Sequence, residues 1–346
     1  MNNFTLLVPT RGRATLLRRL LAYYESEKFP HPIIIADSSA PPILEENRDT
    51  VSRCRTINIE HRAFDPSTEI FEKIMSALTT VGTSHVGLCA DDDFVAASSI
   101  RQSLAFLEKH PRYSAVEGRS FMAEPGRERL HLSAYPQREV KGATAKTRIE
   151  SYFENPTSNF YAIYRTGVFK DILARISRYR TDNTRFEELA VSSLGAIRGN
   201  VGVLPTLYMV RQSSRDRTDS GSQQTGGWRT IAEAPSFTKD RGRFIDMLTE
   251  ALCEHGMEQV PARNLIIRCF DDYLAQALGT RESPRRLSLK ERVIAATLSP
   301  ASGTSLVRKI GAIALMHISP RLRALRAECT PIITLIEEYP NGIPKV

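Results

Sequence analysis

The alternation of short apolar runs with helix-period segments is the feature that most narrows the folds open to this chain. Over the first 120 of its 346 residues, β-branched runs alternate with segments whose apolar residues recur every three or four positions. The predicted elements are strand 4–8, helix 14–24, strand 32–36, strand 55–60, helix 70–78, strand 85–90 and helix 98–109. Repeated βαβ units predict an α/β fold, an open and mostly parallel sheet with helices on both faces. Ligands bind such sheets beyond the carboxyl ends of the strands, so the residues that follow each strand deserve inspection.

The rest of the chain predicts a few more strands and then only helices. The further predictions are strands at 114–116, 160–164 and 201–210 and helices at 166–178 and 185–198. Residues 212–230 are rich in Ser, Thr and Gly, which predicts a long loop. From residue 240 onward the apolar spacing is helical, which predicts a C-terminal helical appendage.

Three consecutive aspartates, Asp91, Asp92 and Asp93, come directly after the predicted strand 85–90. Adjacent carboxylates repel one another and favour neither strand nor helix, so this position at a strand end calls for a cation. Oxygen ligands select a hard divalent ion such as Mg²⁺ or Mn²⁺. In an extended segment Asp91 and Asp93 point to the same side, which allows both to approach one metal. The alternative is an exposed acidic turn that caps the next helix.

Several enzyme classes lack their signatures here. No GxxxxGK[ST], GxGxxG, HExxH or GxSxG motif occurs, which argues against P-loop kinases, dinucleotide oxidoreductases, zincins and α/β-hydrolases. The five cysteines include no CxxC pair, so we expect neither a disulfide framework nor a zinc knuckle. No secretory leader and no membrane-spanning segment is predicted, so we expect a cytoplasmic protein.

Most of the net charge of +8 comes from a basic block at 281–328, with ten lysines and arginines against three glutamates. Apolar residues interleave with these charges, which is typical of helices on an anionic membrane surface. A solvated basic face is the alternative interpretation. Nucleic acid is disfavoured as a partner, because the block has no aromatic residue to stack on bases.

Residues 4–211 resemble the GT-A fold glycosyltransferases, especially the bacterial family-2-like enzymes that use nucleotide-sugar donors. The resemblance rests on LLVPTRGR at the first strand, IIIADSS at the second, and HVGLCADDDFV around the aspartates. It rests further on NFYAIYRTGVF and RFEELAVSSLGAIRGN. It implies a Rossmann-like GT-A domain at 1–211, followed by a loop or linker at 212–239 and a helical region at 240–346.

The resemblance also implies which residues bind the donor. Those expected to border the nucleotide or its diphosphate are Pro9, Thr10, Arg11, Asp37, Lys73, Asp91, Asp92 and Arg211. Asp93 is expected to ligate the metal, Mn²⁺ or Mg²⁺, with Asp91 as the second metal residue. The QxxRW motif of related enzymes is absent, since Gln212 and Arg215 give only QxxR. Arg211 and the loop arginines 215 and 217 are therefore the candidates to reach the diphosphate.

Glycosyl transfer also needs a general base, and the segment FEELA offers Glu187 and Glu188. The resemblance implies a base at this point, with Glu188 matching slightly better. Acidic residues are also common in the first turn of a helix for electrostatic reasons, which is the alternative interpretation. No covalent nucleophile stands out, which favours a single displacement with inversion.

Together these features predict a metal-dependent, hexosyltransferase-type enzyme that transfers sugar from a nucleotide-diphosphate donor. A UDP-sugar is favoured, with a GDP-sugar as the alternative. The expected acceptor is a glycan or lipid-linked saccharide of bacterial surface polysaccharide synthesis, reached from the inner face of the membrane. The apolar helix predicted at 303–316 is a candidate for pairing between subunits. The alternatives are a sugar-phosphate nucleotidyltransferase and a non-catalytic, membrane-associated scaffold of the same fold.

Overall fold

We analysed a computed structural model of the chain, which describes residues 3–125, 130–212, 227–279 and 320–339. Several predictions lie outside these residues: most of the basic block at 281–328, the helix at 303–316, and Arg215 and Arg217. None of the helices in the described ranges is long and apolar enough to cross a membrane.

Strands and helices alternate along most of the described chain. The strands are β1 (Phe4–Thr10), β2 (Ile33–Asp37), β3 (Ile59–Ala63), β4 (His85–Leu88), β5 (Phe94–Val95), β6 (Tyr113–Pro125), β7 (Leu130–Tyr135), β8 (Ile163–Arg165) and β9 (Asn200–Gln212). The helices up to β9 are α1 (Ala14–Ser26), α2 (Pro41–Arg53), α3 (Ile70–Thr79), α4 (Ala97–Lys109), α5 (Ala145–Glu154), α6 (Thr166–Arg178) and α7 (Thr184–Arg198). After β9 come α8 (Trp228–Ala232), α9 (Phe237–Glu254), α10 (Gln259–Ala277) and α11 (Pro320–Glu338).

The strands form one sheet in the order β3-β2-β1-β4-β8-β6-β9-β5, with β7 paired to β6. Strands β3, β2, β1 and β4 are parallel, as the repeated βαβ pattern predicts. Beyond β4 the sheet is mixed, because β8 runs antiparallel to both β4 and β6. Strands β6 and β9 again pair in parallel, so the expected parallel pairing recurs beyond β8 and is interrupted by β8, β7 and β5. A continuous apolar run indicates that a strand is buried on both faces. It does not indicate whether the neighbouring strand in the sheet runs parallel or antiparallel.

The register aligns the strand ends that carry the polar residues. Thr10 pairs with Asp37 across β1 and β2, so these two strands end at the same level. Leu7 pairs with Leu88, which brings the residues just after β4 beside Thr10. Phe94 pairs with Val210, which brings the end of β9 to the same edge of the sheet. One edge, which we call the carboxyl edge, therefore gathers the ends of β1, β2, β4 and β9.

Apolar cores cover both faces of the sheet. One core includes α3, α5, α6 and α7, and the other includes α1 and α4. Helices α8, α9 and α10 join the first core, where Phe186 packs against Trp228, Phe244 and Phe270 with ring centroids 5.3–5.8 Å apart. Helix α11 joins the second core through Cys329, Ile332 and Ile336, all fully buried. The described helices after β9 thus pack on both faces of the sheet.

Candidate functional site

Asp91, Asp92 and Asp93, which we call the aspartate turn, connect β4 to β5 at the carboxyl edge. The amide of Asp93 donates to the carbonyl oxygen of Ala90 at 3.1 Å, which closes a tight turn. Asp91 is 3% exposed and Asp93 is 2% exposed, whereas Asp92 is half-buried. Two carboxylates are therefore buried within three residues, which requires compensating partners.

Asp91 is compensated from the loop that follows β1. Its Oδ2 accepts a hydrogen bond from Thr10 Oγ1 at 2.7 Å, and its Oδ1 pairs with Arg13 Nη1 at 2.9 Å. The same guanidinium nitrogen reaches Asp92 Oδ2 at 3.0 Å. Gly12 has a φ of 72°, which lets the chain turn sharply between Thr10 and Arg13. Sequence analysis missed Arg13 because its role depends on this turn.

Asp93 is compensated from the end of β9. Its Oδ2 pairs with Arg211 Nε at 3.2 Å, and its Oδ1 accepts from the amide of Gln212 at 3.0 Å. The Arg211 guanidinium lies between two aromatic rings, 4.9 Å from the centroid of Tyr135 and 4.8 Å from that of Tyr161. Neither tyrosine was linked to the donor site by sequence, since they come from β7 and the segment before β8.

Burial and ion pairing oppose each other at these carboxylates. Burial raises the pKa of Asp91 and of Asp93, and Arg13 and Arg211 respectively act to lower it. Burial lowers the pKa of Arg211, but the combined influence of Asp93, Tyr161 and Tyr135 outweighs burial and leaves that pKa well above its ordinary value. The site therefore keeps Arg211 charged.

The aspartate turn has the right atoms for a divalent cation but not the arrangement. Carboxylate oxygens suit Mg²⁺ or Mn²⁺, yet Asp91 binds Thr10 and Arg13 whereas Asp93 binds Arg211 and the amide of Gln212. Within the described ranges, no group of three His, Cys, Asp or Glu side chains is gathered closely enough to hold a metal. The described residues, as arranged, do not fit the metal that the sequence predicts.

Lys73 reaches the carboxyl edge from the first turns of α3. Its Nζ donates to the carbonyl oxygen of Thr10 at 2.6 Å and to Ser38 Oγ at 2.9 Å. Burial lowers the pKa of Lys73 to about 8, although Asp91 and Asp37 act to raise it. Arg11 lies half-buried in the turn after β1, and Pro9 is buried within β1 itself. Pro9 thus shapes the strand end rather than presenting a polar group.

Asp37 ends β2 and is fully buried. Its Oδ1 accepts from the amide of Ser39 at 2.8 Å, and its Oδ2 accepts from Asn47 Nδ2 at 2.7 Å and contacts His61 Nε2 at 3.0 Å. Burial raises the pKa of Asp37, but the hydrogen bonds outweigh burial and leave it below its ordinary value. The carboxylate predicted to contact the nucleotide is thus engaged by the protein's own donors, which organise the strand ends.

Glu187 and Glu188 lie in the first turn of α7, which begins at the carboxyl edge because it runs opposite to β9. Asn183 caps this helix by accepting from the amide of Arg185 at 2.9 Å. The Glu188 side chain is 37% exposed and pairs with Arg185 at 3.3 Å. It also acts electrostatically on Tyr161, as do Asp93 and Arg211. Glu188 and the aspartate turn therefore both lie within electrostatic range of Tyr161.

Glu187 points elsewhere, into a cavity of about 460 Å³ that we call the α7 cavity. This cavity lies between the starts of α3 and α7, the α6–α7 loop and α9, with Glu69, Arg180 and Lys239 among its lining residues. Glu187 is 6% exposed, and burial raises its pKa to about 7. The two glutamates that sequence could not separate therefore occupy different environments.

Arg19 connects the C-terminal helix α11 to the aspartate turn, a link that no sequence pattern indicated. Its Nη1 donates to the carbonyl oxygen of Tyr339 at 2.8 Å, and its Nη2 contacts that of Asp92 at 3.4 Å. The guanidinium also lies 5.1 Å from the ring centroid of Phe94. Burial lowers the pKa of Arg19 to about 10, with the three aspartates acting to raise it.

Arg19→Ala is expected to loosen α11, because Tyr339 loses its donor from α1. Cys329 on α11 is fully buried, so labelling of Cys329 by a thiol reagent, followed by mass spectrometry, reports the opening of this helix. Loss of a charged hydrogen bond predicts an increase of about 10-fold in labelling rate. Arg18→Ala is the matched control, since the neighbouring Arg18 is exposed and pairs with Glu46. Equal labelling rates in both variants would show that Arg19 does not hold α11.

Solved structures of a Staphylococcus aureus protein, TarS, resemble nearly the whole chain. TarS 1–349 in complex with UDP-GlcNAc is 14% identical, with 98% of this chain and 92% of that chain covered and a TM-score of 0.54. The structure of TarS 1–349 alone is 15% identical over 99% of this chain and 92% of that chain, with a TM-score of 0.52. The chain has the GT-A fold.

This fold is the one that the resemblance of residues 4–211 implies. At this level of identity the likeness to TarS establishes the fold of the chain and not its substrates. No protein-family model and no curated protein matches the sequence. The chemistry of the site therefore depends on the side chains that this chain places at the carboxyl edge.

Proposed function

We propose that this protein is a glycosyltransferase that takes its sugar from a nucleotide-diphosphate donor. The observation that carries the proposal is the buried aspartate turn at the carboxyl edge, with Arg13, Lys73 and Arg211 around it and Glu188 near Tyr161, whose ring lies against Arg211. Buried carboxylates and cations at a strand end suit a polyhydroxylated, anionic ligand, and a separate carboxylate suits proton removal. The GT-A fold supports the same activity by analogy.

In the proposed reaction an acceptor hydroxyl oxygen attacks the anomeric carbon of the donor sugar. A new bond forms between that oxygen and the anomeric carbon, while the bond from the anomeric carbon to the β-phosphate oxygen breaks. Glu188 takes the proton of the acceptor hydroxyl, and the nucleoside diphosphate leaves with the electron pair. A single displacement of this kind inverts the anomeric configuration.

A UDP-sugar is the favoured donor, because the TarS structure with a TM-score of 0.54 was solved in complex with UDP-GlcNAc. A GDP-sugar remains the alternative from the sequence. Thr10, Lys73 and Asp91 form one hydrogen-bonded group at the end of β1, which supports a role for them at the ribose or diphosphate. Binding of Mn²⁺ or Mg²⁺ by Asp91 and Asp93 stays a prediction from sequence.

The α7 cavity supports a site for the acceptor. It lies at the starts of α3 and α7 and is lined by Glu187, which precedes the base candidate Glu188 in the chain, and its lining combines carboxylates with arginine and lysine side chains. Such a mixed polar lining suits the hydroxyls of a saccharide. A glycan or lipid-linked acceptor of bacterial surface polysaccharide synthesis, at the inner face of the membrane, remains the prediction.

A nucleotidyltransferase is the second candidate enzyme, but the loop after β1 disfavours it. That class carries a glycine-rich signature loop, whereas this loop is Arg11-Gly12-Arg13. Arg13 in this loop is already paired with Asp91 and Asp92. A non-catalytic scaffold would have no use for the buried charges of the aspartate turn, and burying charges lowers the stability of the fold.

Thermal unfolding with and without nucleotides tests the proposal. UDP, GDP, CDP and dTDP are compared on the wild type, on Asp91→Asn and on Asp171→Asn, an exposed aspartate paired with Arg198. One nucleotide at a hundred times its Kd is expected to raise the melting temperature by about 5 °C. Asp91→Asn is expected to lose this rise and Asp171→Asn to keep it. The proposal is wrong if no nucleotide stabilises the wild type with or without Mn²⁺.

A further inference from the structure

The carboxylate oxygens of the aspartate turn already have partners on both sides. Asp93 uses Oδ1 for the amide of Gln212 and Oδ2 for Arg211 Nε. Asp91 uses Oδ1 for Arg13 and Oδ2 for Thr10. A divalent ion prefers about six oxygen ligands, and an ion on Asp93 would lie beside the positively charged Arg211 guanidinium, which repels it.

The end of β9 also supplies the wrong groups for a metal. β9 brings Arg211 and Gln212 to Asp93, and a guanidinium repels a cation instead of ligating it. The four described cations around the turn, Arg13, Arg19, Lys73 and Arg211, outnumber its three aspartates. The excess of positive charge suits a bound anion without any added metal.

We infer that Arg211 supplies the positive charge for the donor's diphosphate, in place of a divalent cation. This inference rests on the proposed function, since it concerns the leaving group of that reaction. The Arg211 guanidinium lies over the rings of Tyr135 and Tyr161, and its Nε donates to Asp93. Its Nη groups make no hydrogen bond to any residue of the described ranges, and a guanidinium presents such groups in the fork that matches phosphate oxygens.

The pairing with Asp93 fixes the position of the Arg211 guanidinium and engages only its Nε, which leaves the Nη groups to bind a phosphate. An arginine on a flexible surface pays conformational entropy to meet a phosphate, whereas a stacked and paired guanidinium is already oriented. Tyr161 is also within electrostatic range of Glu188, so the proposed leaving-group charge on Arg211 and the proposed base both lie near this tyrosine. The diphosphate then leaves toward Arg211 as the acceptor proton moves to Glu188.

Calorimetric titration of UDP into metal-stripped protein tests the inference. The protein is treated with EDTA, desalted, and titrated with UDP in metal-free buffer and again with Mn²⁺. We expect the two Kd values to agree within about 3-fold, and Arg211→Ala to weaken UDP binding about 30-fold in both buffers. Arg211→Lys is expected to recover only part of this loss, because lysine lacks the planar fork.

Arg241→Ala is the matched control for the calorimetry. Arg241 also pairs with an aspartate, Asp271, and also lies over an aromatic ring, that of Phe270, but it is on α9 away from the site. The Arg241→Ala variant is expected to have the same Kd for UDP as the wild type. A melting temperature for each variant separates weakened binding from misfolding, and Arg211→Lys serves if Arg211→Ala does not fold.

Direct metal binding gives a second readout. The electron paramagnetic resonance signal of free Mn²⁺ is expected to stay unchanged when the protein alone is added. UDP binding that appears only with Mn²⁺, and that survives in Arg211→Ala, would overturn the inference while leaving the proposed function standing. Absence of UDP, GDP, CDP and dTDP binding under every condition would overturn both.

Discussion

Glu188→Gln is expected to lower turnover about 10³-fold while leaving the affinity for UDP unchanged. The substitution keeps the shape of the side chain but removes the group that takes the acceptor proton in the proposed reaction. Glu188 is partly exposed and pairs with the partly exposed Arg185, so its loss leaves no fully buried charge unpaired. Steady-state kinetics with a UDP-sugar and calorimetry with UDP measure the two effects separately.

Glu187→Gln is the matched control, since it makes the same change one residue earlier. Glu187 lines the α7 cavity, which is the proposed acceptor site, so Glu187→Gln is expected to raise the KM for the acceptor while turnover falls by about 3-fold at most. The opposite pattern, with Glu187→Gln inactive and Glu188→Gln active, would assign the base to Glu187. Full activity in both variants would refute a base from α7.

Asp37→Ala is expected to lower the free energy of unfolding by about 3 kcal/mol at pH 7. The change leaves Asn47 and His61 without their buried acceptor and removes the bond to the amide of Ser39. The lowered pKa of Asp37 means that its ionised form stabilises the fold above its unfolded-state pKa, and this contribution falls as pH drops below that value. The effect is therefore fully present at pH 7, and urea unfolding measures it.

Asp65→Ala provides the comparison on the surface. Asp65 accepts from the amide of Ser67 at 2.8 Å, the same local bond that Asp37 makes with Ser39, but Asp65 is exposed. A much smaller loss of stability in Asp65→Ala would show that burial and the added partners make Asp37 important. Equal losses would mean that the local turn, and not the buried network, carries the stability.

Local patterns predicted much of the fold and part of the site. The apolar runs at β1, β2 and β4 identified parallel strands, and the rule that ligands bind at strand ends directed attention to Asp37 and the aspartate turn. These features depend on neighbours a few residues away, which a sequence displays directly. Helices α2 and α5 were missed, since α2 has few apolar residues and begins with two prolines.

Other predictions failed or stayed open because they depend on distant residues. The expected strand at 55–60 forms later, at Ile59–Ala63, where pairing with β2 selects the register. The pairing of Asp91 and Asp93 with different arginines joins positions separated by about 80 and 120 residues along the chain. No spacing in the sequence could show that the two carboxylates are turned apart.

The amino-acid sequence alone determined the α/β architecture and the presence of a polar site after β4, because hydrophobic periodicity and charge repulsion act locally. Only the tertiary structure decided that Glu188 lies near Tyr161 while Glu187 lines the α7 cavity. It alone brought Arg211 between Tyr135 and Tyr161 and onto Asp93. The physical reason is that a buried charge takes its partner from whatever element the sheet order brings beside it, at any distance along the chain.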